Sequence, residues 1–254
     1  MRSFLKIASV CTAGALVLAS ASMTASSRAG GDATKAADLP VNAVTCSDLQ
    51  PSNSPLGVPV HLRAGVYGAS KFPIPIQLSV PDAGWSGGQW KTGSTGCYSL
   101  QHGGLGQAPY YGWVSLGHGA VAGHQRGSIV IMTSYGHTAS VAAVVGLLKS
   151  QPGATVEQPV PTTVAGLAAR QLDGKVDAAH HQLFAFTKPG SAAGAHVDGI
   201  DLGRGALFRV LALATHGRTV VVYIVSGSLA ASQFPSFLNE ANRLLHSLRF
   251  PKGA

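Results

Sequence analysis

Carboxylates are scarce in this chain. Only 10 of the 254 residues are Asp or Glu, against 18 Lys and Arg, and charged residues of both signs make up 11%. So few acids argue against the paired carboxylates of general acid–base catalysis. The basic residues stand singly, without a basic run or interleaved aromatics, so we expect no nucleic-acid partner. The net charge of +8 fits attraction to anionic cell-wall polymers or lipid headgroups, although ordinary solubility charge explains it as well and is preferred.

Familiar catalytic motifs are also lacking. Gly84–Gly88 matches the letters of G-x-S-x-G around Ser86, but a nucleophile elbow needs a buried strand before the serine and a helix straight after it. Residues 89–96 read instead as a turn-rich loop, with Trp85 as a core aromatic. Gly103–Gly106 is followed by no helix and fails the dinucleotide fingerprint. We therefore expect no catalytic residue and no bound cofactor, and we keep an extracellular hydrolase acting on envelope material as the alternative.

Histidines are plentiful, but they lack metal-binding spacing. Four of the ten fall in one loop-rich region, where imidazoles could converge on zinc or copper: His102, His118, His124 and His137. No H-x-x-x-H or H-x-H spacing occurs among them, and the adjacent His180 and His181 point to opposite faces of any strand. Single surface histidines are the preferred interpretation, and metal capture by this region is a weaker hypothesis.

Two acids lie close together in Val197–Gly203. Asp198 and Asp201 there are typical of a turn or of a loose calcium loop. Turn capping is the preferred role, and we expect no metal site.

The N-terminus has the organisation of a secretory signal peptide, assigned to residues 1–25. A basic start, Met1–Lys6, precedes a short apolar run, Ile7–Leu18, and Ala19–Ala21 or Met23–Ala25 offers a small-residue cleavage site. The run is shorter than the apolar stretch that a membrane-spanning helix needs, so an uncleaved anchor is the less favoured alternative. A lipid anchor at Cys11 is less favoured still. The residues before Cys11 do not have the leucine and the small residues at the fixed positions that usually precede a lipid-modified cysteine. We expect a secreted, extracellular protein that can associate with the cell surface.

Two cysteines, Cys46 and Cys97, remain after the leader is removed. In an oxidising compartment an even pair predicts a disulfide, which would close a loop of about fifty residues and contribute on the order of 4 kcal/mol. Two free buried thiols are the alternative, since sequence does not give their distance. Residues 26–57 lack periodicity and read as a flexible leader or tether, and residues 58–250 as a single domain.

The C-terminal part carries the strongest structural pattern. Two apolar stretches, Ala206–Thr215 and Arg218–Ser226, flank His216-Gly217, and a two-residue loop with glycine second is a hairpin signal. The turn predicts the register: Thr215 faces Arg218, and the pairs on the two faces follow from it. These pairs are Leu213–Val220 and Leu211–Val222 on one face, and Ala212–Val221, Val210–Tyr223 and Phe208–Val225 on the other. Both faces are largely apolar, so we expect a sheet that is covered on both sides, or covered on one side and shielded by loops on the other.

An amphipathic helix follows, with Ser232 as the expected N-cap and Pro235 in the first turn. Its apolar stripe, which should lie on the sheet, consists of Phe234, Phe237, Leu238, Ala241, Leu244, Leu245 and Leu248. The opposite side holds Ser236, Asn239, Arg243 and Ser247, and Pro251 ends the element.

The remaining periodicity predicts one more helix, 138–150, and several strands. The strand candidates are 58–62, 65–67, 74–80, 97–100, 111–116, 127–133, 162–164 with 167–172 as a second hairpin, and 183–187. Strands arrive as hairpins, which favours an α+β fold: a curved antiparallel sheet of about six to eight strands with the C-terminal amphipathic helix and one further helix packed on it.

The order of these pieces resembles a known family. Leu62–Tyr67, Phe72 and Leu78–Trp85 resemble the opening of uncharacterised secreted proteins common in actinobacteria, and Pro161–Gln171 and Arg209–Phe250 fit the later part. Such domains are similar to the PsbP-like α/β sandwich. The resemblance implies the fold and no reaction, and the Gly-rich stretch around residues 102–126 departs from it. The leading hypothesis is a secreted non-enzymatic domain that binds or supports a cell-wall or membrane-surface component.

Overall fold

The computed structural model describes residues 36–39, 41–42, 62–69, 72–82, 84–90, 111–118, 127–134, 139–186 and 200–252. The chain divides into two compact units, Met1–Lys35 and Ala36–Ala254, and every described residue belongs to the second. The predicted signal peptide, Cys46 and Cys97 lie outside the described residues, and the predictions made for them stay predictions.

Fourteen strands and two α-helices make up the described parts. The strands are β1 (Ala37–Asp38), β2 (Val41–Asn42), β3 (Gly65–Gly68), β4 (Gln77–Val80), β5 (Trp85–Trp90), β6 (Tyr111–His118), β7 (Gly127–Ser134), β8 (Ala154–Val156), β9 (Val160–Val164), β10 (Leu167–Val176), β11 (His180–Leu183), β12 (Ile200–Gly203), β13 (Leu207–Thr215) and β14 (Arg218–Val225). The helices are α1 (Val141–Ser150) and α2 (Phe234–Ser247), the second preceded by a 3-10 turn, Ala231–Gln233. No helix in these ranges has both the length and the apolar character needed to cross a bilayer.

Nine of the described strands form one sheet in the order β2-β5-β6-β7-β14-β13-β10-β8, with β9 pairing beside β8 on the same edge of β10. Its pairs are antiparallel except for β2 with β5. A small sheet, β1-β3-β4, and the pair β11-β12 lie apart from it. The α+β class, the antiparallel sheet and the two helices are confirmed. The sheet exceeds the expected strand number because short strands such as β2 join its edges.

The predicted hairpin register is confirmed. Thr215 pairs with Arg218, and the pairing continues without a slip to Phe208 opposite Val225. His216 and Gly217 adopt φ values of 49° and 69°, the left-handed conformation of two-residue hairpin turns, whose twist matches that of the strands.

Both faces of the central strands are covered, as their apolar character predicts. One face packs on α2 and the small sheet through side chains such as Ile131, Leu211 and Val222. The other face packs on α1 through Met132, Val210 and their neighbours. The described residues of the second unit therefore form three layers, and the main sheet lies in the middle.

The stripe of α2 lies on the sheet as predicted, with all its members buried except Leu238, which is half-buried. Burying each large side chain is worth about 1.5–3 kcal/mol as an upper estimate. Two details differ. Ser232 is not the N-cap, because a 3-10 turn, common at helix starts, encloses it and α2 begins only at Phe234. Ser247 is half-buried because its hydroxyl accepts a hydrogen bond from the Ser79 N–H at 2.8 Å.

Three more predictions were wrong in position. The stretch from residue 89 was expected as a loop, but β5 extends through Trp90 because it pairs with β6 and β2. The strand expected at 183–187 is β11, which ends at Leu183. Residues 200–203, expected as a turn, form β12 opposite β11. Tertiary pairing overrides local propensity in each case.

Residues from the expected tether also join the fold. β1 pairs with β3, β2 pairs with β5, and Leu39 between them is 1% exposed in the core. The chain thus contributes to the core before residue 58, where the sequence predicted the domain to start. The sequence around Leu39 lacks helical or strand periodicity, so it did not predict that Leu39 is buried.

Candidate functional site

Two hairpin turns and the end of the chain enclose a cleft at one end of the main sheet. β10 and β13 are antiparallel neighbours with Ala169 opposite Leu213, so the turns Ala165-Gly166 and His216-Gly217 lie side by side. The cleft is largely open to solvent and has a volume of about 510 Å³. We call it the C-terminal cleft, and it is lined by Ala165, Leu167, Thr215, His216, Arg249, Phe250, Pro251 and Lys252.

Both turns place a residue other than glycine in the left-handed region. Ala165 has a φ of 53° and His216 a φ of 49°. This conformation costs an L-residue about 1–2 kcal/mol, and the strand pairing on either side of each turn enforces it. Observed backbone strain of this kind is more frequent at binding and catalytic sites than elsewhere, which draws attention to this end of the sheet.

The chain after α2 forms the third wall of the C-terminal cleft. Leu248 is buried, and Arg249 then exchanges two backbone hydrogen bonds with Gln77 of β4, at 2.8 and 3.0 Å. This pairing directs the following residues past the β13–β14 turn, where His216 Nε2 lies 3.4 Å from the carbonyl oxygen of Phe250. The position of the wall is therefore set by strand pairing and by one side chain of the turn.

The described part of the lining carries positive charge. Its basic residues are His216, Arg249 and Lys252, and none of the lining residues that the structure describes is an Asp or Glu. The guanidinium of Arg249 donates from Nη1 to the carbonyl oxygens of His246 at 2.8 Å and of Leu248 at 2.7 Å. Within the part of the chain that the structure describes, its Nε and Nη2 and the Lys252 ammonium have no hydrogen-bond partner. These donors are available to an anion.

The other walls of the C-terminal cleft are apolar. Ala165, Leu167 and Phe250 are half-buried and pack against the core that α2 shares with the sheet. Pro251 beside them is exposed. The arrangement offers an apolar surface next to cationic hydrogen-bond donors, which suits a ligand with an anionic group on a compact, partly apolar body.

Among the comparisons with known proteins, only the one with solved structures found similar proteins. No family model and no curated protein matches the chain. The chain is similar to the solution structure of cyanobacterial PsbP (CyanoP) from Synechocystis sp. PCC 6803, with 13% identity and a TM-score of 0.39 over 80% of this chain and 100% of that chain. It is also similar to LpqN, described as involved in cell envelope biogenesis of Mycobacterium tuberculosis, with 15% identity and a TM-score of 0.29 over 76% and 90%. Neither likeness assigns a role to a residue of the cleft.

The backbone at the G-x-S-x-G letters is not that of a nucleophile elbow. Ser86 lies inside β5, opposite Gly117 of β6, with extended strand on both sides. An elbow needs a sharp turn into a helix directly after the serine. The buried position of Trp85, 1% exposed and packed on Phe237, agrees with its expected role as a core aromatic.

The predicted histidine and acid candidates do not come together in the described residues. His118 ends β6 and Asp201 is exposed on β12. Within the described ranges, no three His, Cys, Asp or Glu residues are grouped in a way that could hold a metal ion. The other candidates lie outside those ranges: His102, His124, His137, Asp198 and the predicted disulfide pair Cys46 and Cys97.

Two further polar features lie within the scaffold, one stabilising and one costly. Asp173 and Arg209 form a bidentate ion pair across β10 and β13, with both N–O distances at 2.7 Å. Tyr223 is fully buried, its hydroxyl has no hydrogen-bond partner among the described residues, and this burial raises its pKa well above the usual value.

The residues of the C-terminal cleft were not predicted as a site. His216 was recognised only as a turn residue and Pro251 only as a helix end. The one signal in the sequence is the pair of cations, Arg249 and Lys252, directly after the helix, and such a pair gives no indication that two distant turns lie beside it.

Proposed function

We propose that this protein is a secreted, non-enzymatic domain that binds an anionic component of the cell envelope in the C-terminal cleft. The observation that carries the proposal is the lining of the cleft, where Arg249 and Lys252 stand beside His216 and none of the described lining residues is an Asp or Glu. Cations without acidic partners raise the local concentration of anions and gain most from binding one.

The same lining favours binding over catalysis. His216 is the lining residue that commonly serves as a general base, and it lies beside a backbone carbonyl rather than an acid. A nucleophile, a base and a group that orients the base must lie within hydrogen-bond reach for acyl transfer. Thr215 offers a hydroxyl, but none of the described lining residues is an acid, so that set is incomplete among them.

Secretion is supported by the sequence of the leader, and the Cys46–Cys97 disulfide is proposed with it. If the chain passes through an oxidising compartment, the mature protein should contain no free thiol before reduction and two after it. Mass spectrometry of the exported protein under both conditions tests the leader cleavage and the disulfide together. A mature chain that retains residues 1–25, or that has two free thiols, would contradict these parts.

The binding proposal is tested with a pair of charge-matched double variants. Arg249→Gln with Lys252→Gln removes two cations from the cleft, and Lys149→Gln with Lys175→Gln removes two exposed cations elsewhere. The protein is expressed with its own leader, and its sedimentation with a washed envelope preparation from the producing cells is measured at low and high salt.

We expect the wild type and the control to sediment with the envelope at low salt, and the cleft variant to stay in solution. Binding should weaken at high salt, because exposed charges are screened. Equal loss of binding in both double variants would show that only net charge matters. No binding by the wild type would remove the proposed function.

A further inference from the structure

We propose that the ligand of the C-terminal cleft is a polymer of sugar or polyol units joined by phosphodiesters. The inference rests on the proposed function and names the ligand class of the same site. It follows from the hydrogen bonds of Arg249, from the apolar wall beside it and from the exposed apolar side chains of the described residues, which lie away from the cleft.

The guanidinium of Arg249 is held ready for a bidentate contact. Its Nη1 is used twice, by the carbonyl oxygens of His246 and Leu248, and this fixes the side chain at the end of α2. The donors left over, Nε and Nη2, form one edge of the guanidinium, which matches two oxygens of a phosphate or a carboxylate. Because the side chain is already immobilised, binding an oxyanion costs little further entropy.

The other polar residues of the lining favour phosphate over carboxylate. Lys252 follows on the extended segment, whereas His216 belongs to the β13–β14 turn, so residues with hydrogen-bonding side chains line the cleft from two different parts of the chain. The two charged oxygens of a phosphodiester can lie on the guanidinium edge and still accept hydrogen bonds from donors outside the guanidinium plane. A carboxylate also has two oxygens for the edge, but its lone pairs lie in its own plane, so it suits donors outside that plane less well.

The apolar wall suits the carbon skeleton between two phosphates. Phe250, Pro251 and Leu167 line the cleft beside the cations. The C–H face of a sugar ring or a polyol chain can pack there while its hydroxyls stay in water. A free phosphate would leave this wall unused, so we expect it to bind more weakly than the polymer.

The surface around the C-terminal cleft does not suit membrane docking. In the described ranges the exposed large apolar side chains are Val66 and Val160, and neither lines the cleft. Peripheral proteins that hold to bilayers insert apolar side chains between the lipids in addition to making electrostatic contacts. A soluble polyanion that enters the cleft from solvent fits the observed surface better than a lipid headgroup.

Titration calorimetry of the full exported protein tests the inference with defined probes. They are poly(glycerol phosphate), inorganic phosphate, a polyuronate, an uncharged glucan and vesicles of phosphatidylglycerol with phosphatidylcholine. We expect poly(glycerol phosphate) to bind at least about tenfold more tightly than the polyuronate, and the glucan not to bind. Preferred binding to the vesicles or to the polyuronate would overturn the phosphodiester polymer.

Three variants of the cleft separate charge from geometry. Arg249→Gln should weaken binding of poly(glycerol phosphate) by about tenfold or more, and Arg249→Lys by nearly as much, because lysine keeps the charge but lacks the bidentate edge. Lys252→Gln should weaken it by about threefold to tenfold. The control Lys175→Gln should stay within about twofold of the wild type. Thermal unfolding of Arg249→Lys shows whether its fold is intact.

The outcomes distinguish the two proposals. If the wild type binds the envelope preparation in an Arg249-dependent manner but does not bind poly(glycerol phosphate), the ligand class is wrong and the proposed function stands. If Arg249→Lys binds as tightly as the wild type, the bidentate contact is wrong. If the wild type binds neither probe nor envelope, both proposals fail.

Discussion

Gly127 of β7 lies directly against the aromatic ring of Phe237 in α2. A Cβ atom built on Gly127 would lie 2.7 Å from two carbons of the ring and 2.8 Å from a third, closer than carbon atoms approach in folded proteins. The missing side chain therefore sets how near the helix can come to the sheet. Phe237 also packs on Trp85 of β5, with ring centroids 6.5 Å apart, so this contact joins one helix to two strands.

Replacing Gly127 by alanine should destabilise the protein by about 1–3 kcal/mol, because the added methyl group forces the ring or the strand to move. Gly146→Ala is the matched control. Gly146 lies in the exposed part of α1 with nothing within 4 Å of a built Cβ, so alanine there should stabilise by about 0.5–1 kcal/mol. Urea unfolding measures the free energy of unfolding of both variants. A Gly127→Ala variant as stable as the wild type would contradict the contact.

The side chain of Gln151 joins the end of α1 to the segment after β11. Its amide nitrogen donates to the carbonyl oxygen of Phe184 at 2.6 Å, its oxygen accepts from the Phe184 N–H at 2.9 Å, and Gln151 is only 7% exposed. Gln151→Ala should cost about 2–3 kcal/mol through the lost hydrogen bonds. Exchange of the Phe184 amide hydrogen should accelerate. Gln158→Ala, at an exposed site, should change stability by less than about 0.5 kcal/mol.

Tyr223→Phe should stabilise the protein by about 1 kcal/mol at neutral pH. The hydroxyl is buried and has no hydrogen-bond partner in the described ranges, so its removal relieves a desolvation cost without breaking a bond. Tyr67→Phe is the control, since the exposed Tyr67 hydroxyl donates to the Arg63 carbonyl oxygen at 3.0 Å and its loss should be slightly unfavourable. Destabilisation by Tyr223→Phe would mean that the hydroxyl has a partner in solution.

The raised pKa of Tyr223 predicts a specific loss of stability in alkali. Burial keeps the phenol protonated in the folded protein, whereas the unfolded chain ionises it above its ordinary pKa of 10.0. The unfolded state then binds fewer protons, and stability falls by about 1.4 kcal/mol per pH unit above that value. Relative to Tyr223→Phe, the wild type should show this extra loss only above pH 10.0. Equal pH dependence in both proteins would contradict it.

The turn at Ala165 gives the fourth site for a stability test. Asparagine tolerates the left-handed conformation and is common before glycine in two-residue hairpins, so Ala165→Asn should stabilise by about 0.5–1 kcal/mol. Ala165→Val should destabilise by about 1–2 kcal/mol, because a β-branched side chain fits poorly at the φ of 53°. Urea unfolding of the two variants shows whether each raises or lowers the free energy of unfolding. A change in the same direction in both variants would show that the turn adopts another conformation and would contradict the prediction.

Much of the fold was predictable where one residue pattern extends over many positions. The hairpin from Leu207 to Val225 has a two-residue turn at its centre, and that turn fixes every pair along it. The stripe of α2 repeats at helical spacing over the whole element, so a shift at its start left the buried face correct. A pattern that extends over many residues therefore predicts register and buried face correctly even where the end of an element is misplaced.

Short elements were predicted poorly because partners far away in sequence create them. β5 contains Ser86-Gly87-Gly88, which favours a loop, yet it pairs along its length with β6. Leu39 is buried although the residues around it lack periodicity. The C-terminal cleft depends on distant partners most of all, because residues near 165, 216 and 250 form it together.

The sequence by itself determined the strand register of the hairpin, the buried face of the last helix and the excess of positive charge, because each depends on residue types at regular spacing. Only the tertiary structure decided that Arg249 and Lys252 lie beside two left-handed turns, with no acid among the described lining residues. The physical reason is that antiparallel pairing of β10 with β13 brings the turns together, while pairing of Arg249 with Gln77 directs the chain end across them.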